Sequence, residues 1–266
     1  MRNSLTILKR ELRAYFTSNI AYIVLLVFLF LCGFFFVSNV RYFSDISEFS
    51  IRAANDPYSF MRELPKVNST EFVVRPFYSV MALLMLWVMP LLTMNVFAAE
   101  KKTGTIELLF TYPLRDWETI IGKYSACTTV FIVMLAGSFL FPILLDKYLG
   151  AQPEWPVIWL NYLGVFLMGA SFIALGVFIS SMSDDPLIAG FLTWGASLLV
   201  WLISFFVERL PYPRLVDVLQ YLSLYDHFMN FSKGVFELKD AVFYITFTVF
   251  FLFLTMCSLG SKRWRS

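Results

Sequence analysis

Few side chains in this sequence can do chemistry, and they lie far apart. His227 is the only histidine and sits between Asp226 and Phe228. A nucleophile–base pair or a zinc site needs partners at matched spacing. The three cysteines, Cys32, Cys127 and Cys257, lie far from His227 and show no C-x-x-C pattern. A hydrogen-bonded structural or interfacial histidine is the expectation, and no catalytic, cofactor-binding or metal residue is assigned. A phosphate-cradling loop needs G-x-x-x-x-G-K-[ST]. Gly122-Lys123 is followed by Tyr124, and Trp117 stands where the first glycine belongs. The chain has no nucleotide site of its own by this reading. What is left is the stretch from Ala98 to Leu114. Ile106, Leu109 and Phe110 recur at i, i+3 and i+4, Glu107 faces away, and Pro113 stops the helix. Asp116 is then expected to cap the next helix, through Trp117 and Lys123. A short greasy helix held between two rigid elements suits a mechanical contact with a partner, and a simple interfacial turn fits the same pattern.

The elements that must hold this stretch are written in the charge map. The chain has 266 residues, 59% of them hydrophobic, 19% aromatic and 15% charged, with a mean hydropathy of +0.70. Soluble domains carry about a quarter charged residues. Six stretches contain no Asp, Glu, Lys or Arg: 14–40, 76–99, 124–145, 155–183, 186–207 and 241–261. A bilayer core of about 30 Å needs roughly 20 apolar helical residues, and each stretch is long enough. The sequence therefore predicts an all-α polytopic membrane protein, one membrane domain over 1–266, with spans near 20–40, 77–99, 124–145, 158–181, 187–207 and 241–260. The first apolar run exceeds a signal-peptide core and reads as an uncleaved span. A net charge of +2 gives no basic groove for nucleic acid.

Residues 1–19 are expected to form an amphipathic elbow helix in the membrane interface, with Leu5, Leu8, Leu12, Tyr15 and Phe16 on one face and Lys9, Arg10 and Arg13 on the other; a basic flank that fixes topology is the alternative. Six spans put both termini on one side. That side packs eleven Lys/Arg into 54 residues against ten in 81 opposite, and four precede the first span. Both termini are accordingly placed in the cytoplasm, with 100–123 a cytoplasmic loop and 41–76 and 208–240 extracytoplasmic segments. The former outer segment reads as short helices and turns; the latter carries a helix through Leu215, Val218, Leu219 and Leu222. Pro90 should kink the second span. Gly164, Gly169, Ala170, Gly176, Gly190 and Gly195 allow close helix approach, within the chain or across a dimer seam. No ionisable residue lies inside a span, so no buried charge for proton coupling or voltage sensing is visible.

Glu100-Lys101-Lys102-Thr103-Gly104-Thr105-Ile106-Glu107-Leu108-Leu109, then Tyr112-Pro113-Leu114 and Gly122-Lys123, resembles the signature loop of permease subunits of type-2 ABC transporters. The run from Leu222 through Asp226-His227-Phe228 to Asp240, its continuation to Trp264, and the opening Lys9-Arg10-Glu11-Leu12 are similar to the gliding-motility-associated branch of that family. The resemblance implies a membrane subunit working as a dimer, homo- or heterodimeric, in the bacterial cytoplasmic (inner) membrane. Its partners would be a cytoplasmic ABC ATPase dimer, which binds the ATP and Mg, and an auxiliary membrane or periplasmic subunit. It assigns ATPase coupling to Glu100, Lys101, Lys102, Thr103, Gly104, Thr105, Ile106, Glu107, Leu108, Leu109 and Phe110. A second, smaller cytoplasmic contact falls at Ser183, Asp184 and Asp185, where a plain N-cap before Pro186 is an equal reading. The implied work is export or extraction of an unidentified substrate, or force on periplasmic machinery. A structural anchor for an envelope complex and an intramembrane enzyme are the alternatives.

Overall fold

The computed structural model describes residues 2–54, 68–105, 115–147, 153–207 and 213–263, which contain helices and no strand. Helix α1 (Arg2–Thr17) precedes α2 (Asn19–Ala54). Helix α2 continues well past the expected end of the first span at residue 40. No Gly or Pro interrupts residues 34–54, and side chains support the extra turns: Ser47 and Ser50 bond the carbonyls of Phe43 and Ile46, and Arg52 pairs with Glu48 at 3.1 Å. The expectation of short helices and turns from residue 41 is corrected to that extent. A π-helical turn, Thr70–Val74, leads into α3 (Arg75–Thr93). Asn68 donates to Glu154 at 3.3 Å and accepts from the Thr70 amide at 3.0 Å.

The second span is not one continuous helix to residue 99, as the sequence suggested. Helix α3 ends three residues after Pro90, and α4 (Ala98–Lys102) starts after a break at 94–97. The third begins early, with α5 (Asp116–Ser138), then α6 (Leu140–Lys147). Arg115 occupies the cap position expected for Asp116, and Glu118 reaches back to the Arg115 amide at 3.4 Å. The remaining long helices are α7 (Trp155–Met182), α8 (Pro186–Val207) and α11 (Leu238–Arg263). Between the last two lie α9 (Pro213–Leu222) and α10 (Leu224–Ser232). The described helices include six long and apolar enough to cross a membrane.

Helix α7 is the axis of the bundle. Of its most apolar window 72% is buried, against 17% for α8 and 22% each for α2 and α11. Its glycines explain this centrality: a Cβ on Gly164 would meet Phe231 at 2.7 Å, one on Gly169 would meet Phe131 at 2.3 Å, and one on Gly176 would meet the Thr93 hydroxyl at 2.1 Å. These three glycines therefore let α10, α5 and α3 close on α7 within one chain. Gly195 has open space around it. Peripheral helices keep large apolar residues exposed, as a hydrocarbon solvent requires; Phe191 and Leu199 of α8 are 73% and 70% exposed.

Candidate functional site: a polar junction at the α1 end of the bundle

The junction starts at the break before α4. The Met94 and Val96 amides still find the Pro90 and Thr93 carbonyls there, and those of Phe97 and Ala98 need partners elsewhere. Ser180, fully buried on α7, accepts from the amides of Phe97 at 3.0 Å and Ala98 at 3.1 Å, and donates to the Met94 carbonyl at 3.2 Å. One hydroxyl thus starts α4 in a fixed place. Sequence reasoning missed Ser180, because a lone serine in an apolar span carries no periodic signal.

From that start, consecutive residues of α4 point to different neighbours. Glu100 Oε1 accepts from Lys123 Nζ of α5 at 2.8 Å and from Arg10 of α1 at 3.3 Å. Adjacent residues on a helix do not face each other, and Lys101 instead donates to the Ser181 carbonyl and lies 3.6 Å from Asp184. Lys102 reaches Asp185 Oδ2 at 2.6 Å. Asp185 Oδ1 also accepts from the Leu187 amide at 2.8 Å, so it caps α8 as well as holding α4. Lys102, then the Leu187 amide, draws its carboxyl below the ordinary range. Ser183 turns inward to the Ile179 carbonyl at 3.0 Å. Thr103 and Thr105 share a hydroxyl contact at 2.9 Å, and Gly104, at φ +71°, turns the chain where a side chain would be strained. Ile106, Glu107, Leu108, Leu109 and Phe110 lie outside the described residues.

Lys123 is the centre of the junction. It is 3% exposed, and its ammonium meets Glu100, Glu11 at 3.2 Å and the Val96 carbonyl at 2.7 Å, with the Phe97 ring centroid 5.2 Å away. Three donors thus meet three acceptors, which is what burying an ammonium demands. Burial works against a charge on Glu11, yet Lys123 and Arg10 outweigh it and hold that carboxyl below its usual range. The hydrogen bond to Glu11 raises Arg10 against its own partial burial, helped by Glu100. The sequence offered only an indirect sign of this role: Lys123 is the last charge before a charge-free stretch.

Helix α1 supplies Arg10 and Glu11 from beside the expected apolar face, of which Leu12 and Tyr15 pack on the core. Leu5 and Phe16 are exposed at 56% and 40%, whereas Ile7 is buried. Ile7 presses on Gly122, where a Cβ would lie 2.8 Å from its side chain. Tyr15 donates to the Leu92 carbonyl at 2.7 Å. The helix therefore docks on α5 and α3 as well as offering apolar residues outward. The periodicity marked Leu12 and Tyr15 on this docking side, and the glycine notch adds Ile7 beside them.

His227 is placed elsewhere, at the opposite end, among α9, α10 and α11, where it contacts Asp240 and the Tyr221 carbonyl. Among the described residues no group of three His, Cys, Asp or Glu side chains is arranged to hold a metal.

A helical bundle with six candidate spans defines a multi-pass membrane protein. The chain belongs to the ABC-2 family transporter proteins, whose family pattern matches residues 5–260. Members of that family are the membrane subunits, distinct from the ATPase, and partner with an ABC ATPase. No curated protein matches the chain.

Proposed function

We propose that this chain is the permease subunit through which separate ATPase subunits do work across or within the inner membrane, with both termini and the α1 end of the bundle in the cytoplasm. The segment from Glu100 to Phe110 is the coupling element in this reading. One observation carries it. The root of that segment, α4, is fixed by charge to α1 and α5 through Glu100 and to the α7–α8 turn through Lys101 and Lys102. A push on the segment would thus reach four elements together, α7 being the bundle's axis. Asp184 and Asp185 act by holding α4, and docking on the ATPase is a further role for the same turn. The chain itself hydrolyses nothing; ATP and Mg belong to the partner.

Such permeases work as dimers, with a second copy or a second permease. The resemblance of the segment from Leu222 to Asp240 to the gliding-associated branch supports an auxiliary membrane or periplasmic subunit, and either substrate extraction or force transmission as the output. The uncharged spans favour an amphiphilic or lipid-linked cargo over a small hydrophilic one. The test is Leu109→Asp and Phe110→Asp in the complex with its ATPase, reconstituted in lipid. Membrane insertion should be normal while association with the ATPase, or its stimulation, falls at least tenfold. Full association and activity in both variants would refute the coupling assignment.

A further inference from the structure

At the far end of the bundle, His227 Nδ1 lies 2.6 Å from Asp240 Oδ1, and Nε2 lies 3.0 Å from the Tyr221 carbonyl oxygen. Both neighbours are acceptors. A backbone carbonyl has no proton to give, and Asp240, taken as a carboxylate, accepts at its second oxygen from Asn230 Nδ2 at 2.9 Å. A neutral imidazole has one donor and one acceptor nitrogen. In either tautomer one lone pair would face an oxygen, in a site where Asp240 is fully buried and His227 is 6% exposed. Phe243 stacks on the ring at 4.1 Å and 22°, a surface that favours a cation.

We infer that His227 carries a proton on each ring nitrogen and is a clasp: as an imidazolium it holds the end of α9 and the whole of α10 against the start of α11, and this end of the bundle loosens when the proton leaves. Each segment enters through a different atom, α9 by the Tyr221 carbonyl, α10 by the ring itself, and α11 by the Asp240 carboxylate. The groups around the ring fit this assignment. Asp240, Tyr244 and Lys239 come from α11, Tyr221 from α9, Asp226 from α10 and Lys233 from the residue that caps it; Lys239 is engaged by Glu237. Helix α8 adds Ser204, which bonds Asp226 at 2.5 Å, and α7 has no charged residue. An open cavity of about 730 Å³ reaches the ring between Asp226 and Lys239, giving protons a route. Closing the clasp takes up one proton wherever the released ring is neutral, so the closed-to-open ratio falls about tenfold per pH unit there.

His227 is the only histidine, so ¹⁵N-histidine labelling of the full chain in nanodiscs reports this ring alone. The expected spectrum at neutral pH has both nitrogens protonated, and Asp240→Asn removes one of those protons. Deuterium exchange of the α9 amides, corrected for intrinsic rates, should rise about tenfold per pH unit through the ring's titration. The same exchange should be fast and free of this dependence in His227→Gln. A bare ring nitrogen in the unmodified protein at neutral pH, or α9 exchange indifferent to pH, overturns the proposal. The unmodified protein alone decides both points if the variants do not fold.

Discussion

At one end of the bundle, α4 is held by a long, buried lysine that gathers Glu11 and Glu100 from two other helices. At the other, α10 is held by a compact ring set between one carboxylate and one carbonyl. The first arrangement is redundant, since Arg10 backs up both acids and Lys101 and Lys102 fasten α4 on its other side. The second centres on the ring, with further bonds from Asn230 to Asp240, from Tyr244 to the Leu224 carbonyl and from Ser204 to Asp226 around it. At the first, Lys123 and Arg10 hold the Glu11 carboxyl below its usual range; the second is the place of the proton proposed for His227.

The largest effect should come from Lys123→Met. Removing the buried ammonium leaves the Glu11 and Glu100 carboxylates, 17% and 20% exposed, with the exposed Arg10 as their one cation, and such losses cost about 3–5 kcal/mol. The melting temperature in detergent should fall strongly, and more than for His227→Gln. A smaller loss is expected for Ser180→Ala, which strands the buried Phe97 and Ala98 amides at about 1–3 kcal/mol. It should also raise amide exchange at 97–102 while leaving α9 unchanged. The smallest effect is the acid response. Glu11 is held below its ordinary value of 4.5, so its contribution is complete above that pH and is lost as pH falls through the lower native value. A pH scan of thermal stability should show a shoulder below pH 4.5 that Glu11→Gln abolishes. A shoulder retained in Glu11→Gln would place the acid response elsewhere.

The spans were legible because charge is excluded from hydrocarbon whatever the neighbours are. The helix in the segment after α8 was legible because its apolar residues keep a helical period. What was not legible depends on partners distant in sequence. Glu100 meets Lys123 of α5 and Arg10 of α1, not the adjacent Lys101. Ser180 caps a helix more than eighty residues upstream. The place of Ile7 in the docked face of α1 is set by a notch at Gly122, which no pattern within α1 encodes. Likewise the breaks after Thr93 and Ser138 sit inside apolar runs, where composition continues and only geometry changes. His227 was read as a hydrogen-bonded structural residue, and its Asp240 and Tyr221 partners give that role a specific form.

The most direct measurement is a double-mutant cycle between Glu100→Gln and Lys123→Met in the complex with its ATPase, read both as thermal stability and as permease-stimulated ATP hydrolysis. The account predicts that each single change lowers both readouts and that the double variant is little worse than Lys123→Met, a coupling of about 1–3 kcal/mol in stability. Additive effects, or normal stimulation in Glu100→Gln, would contradict the claim that this pair ties the coupling segment to the bundle.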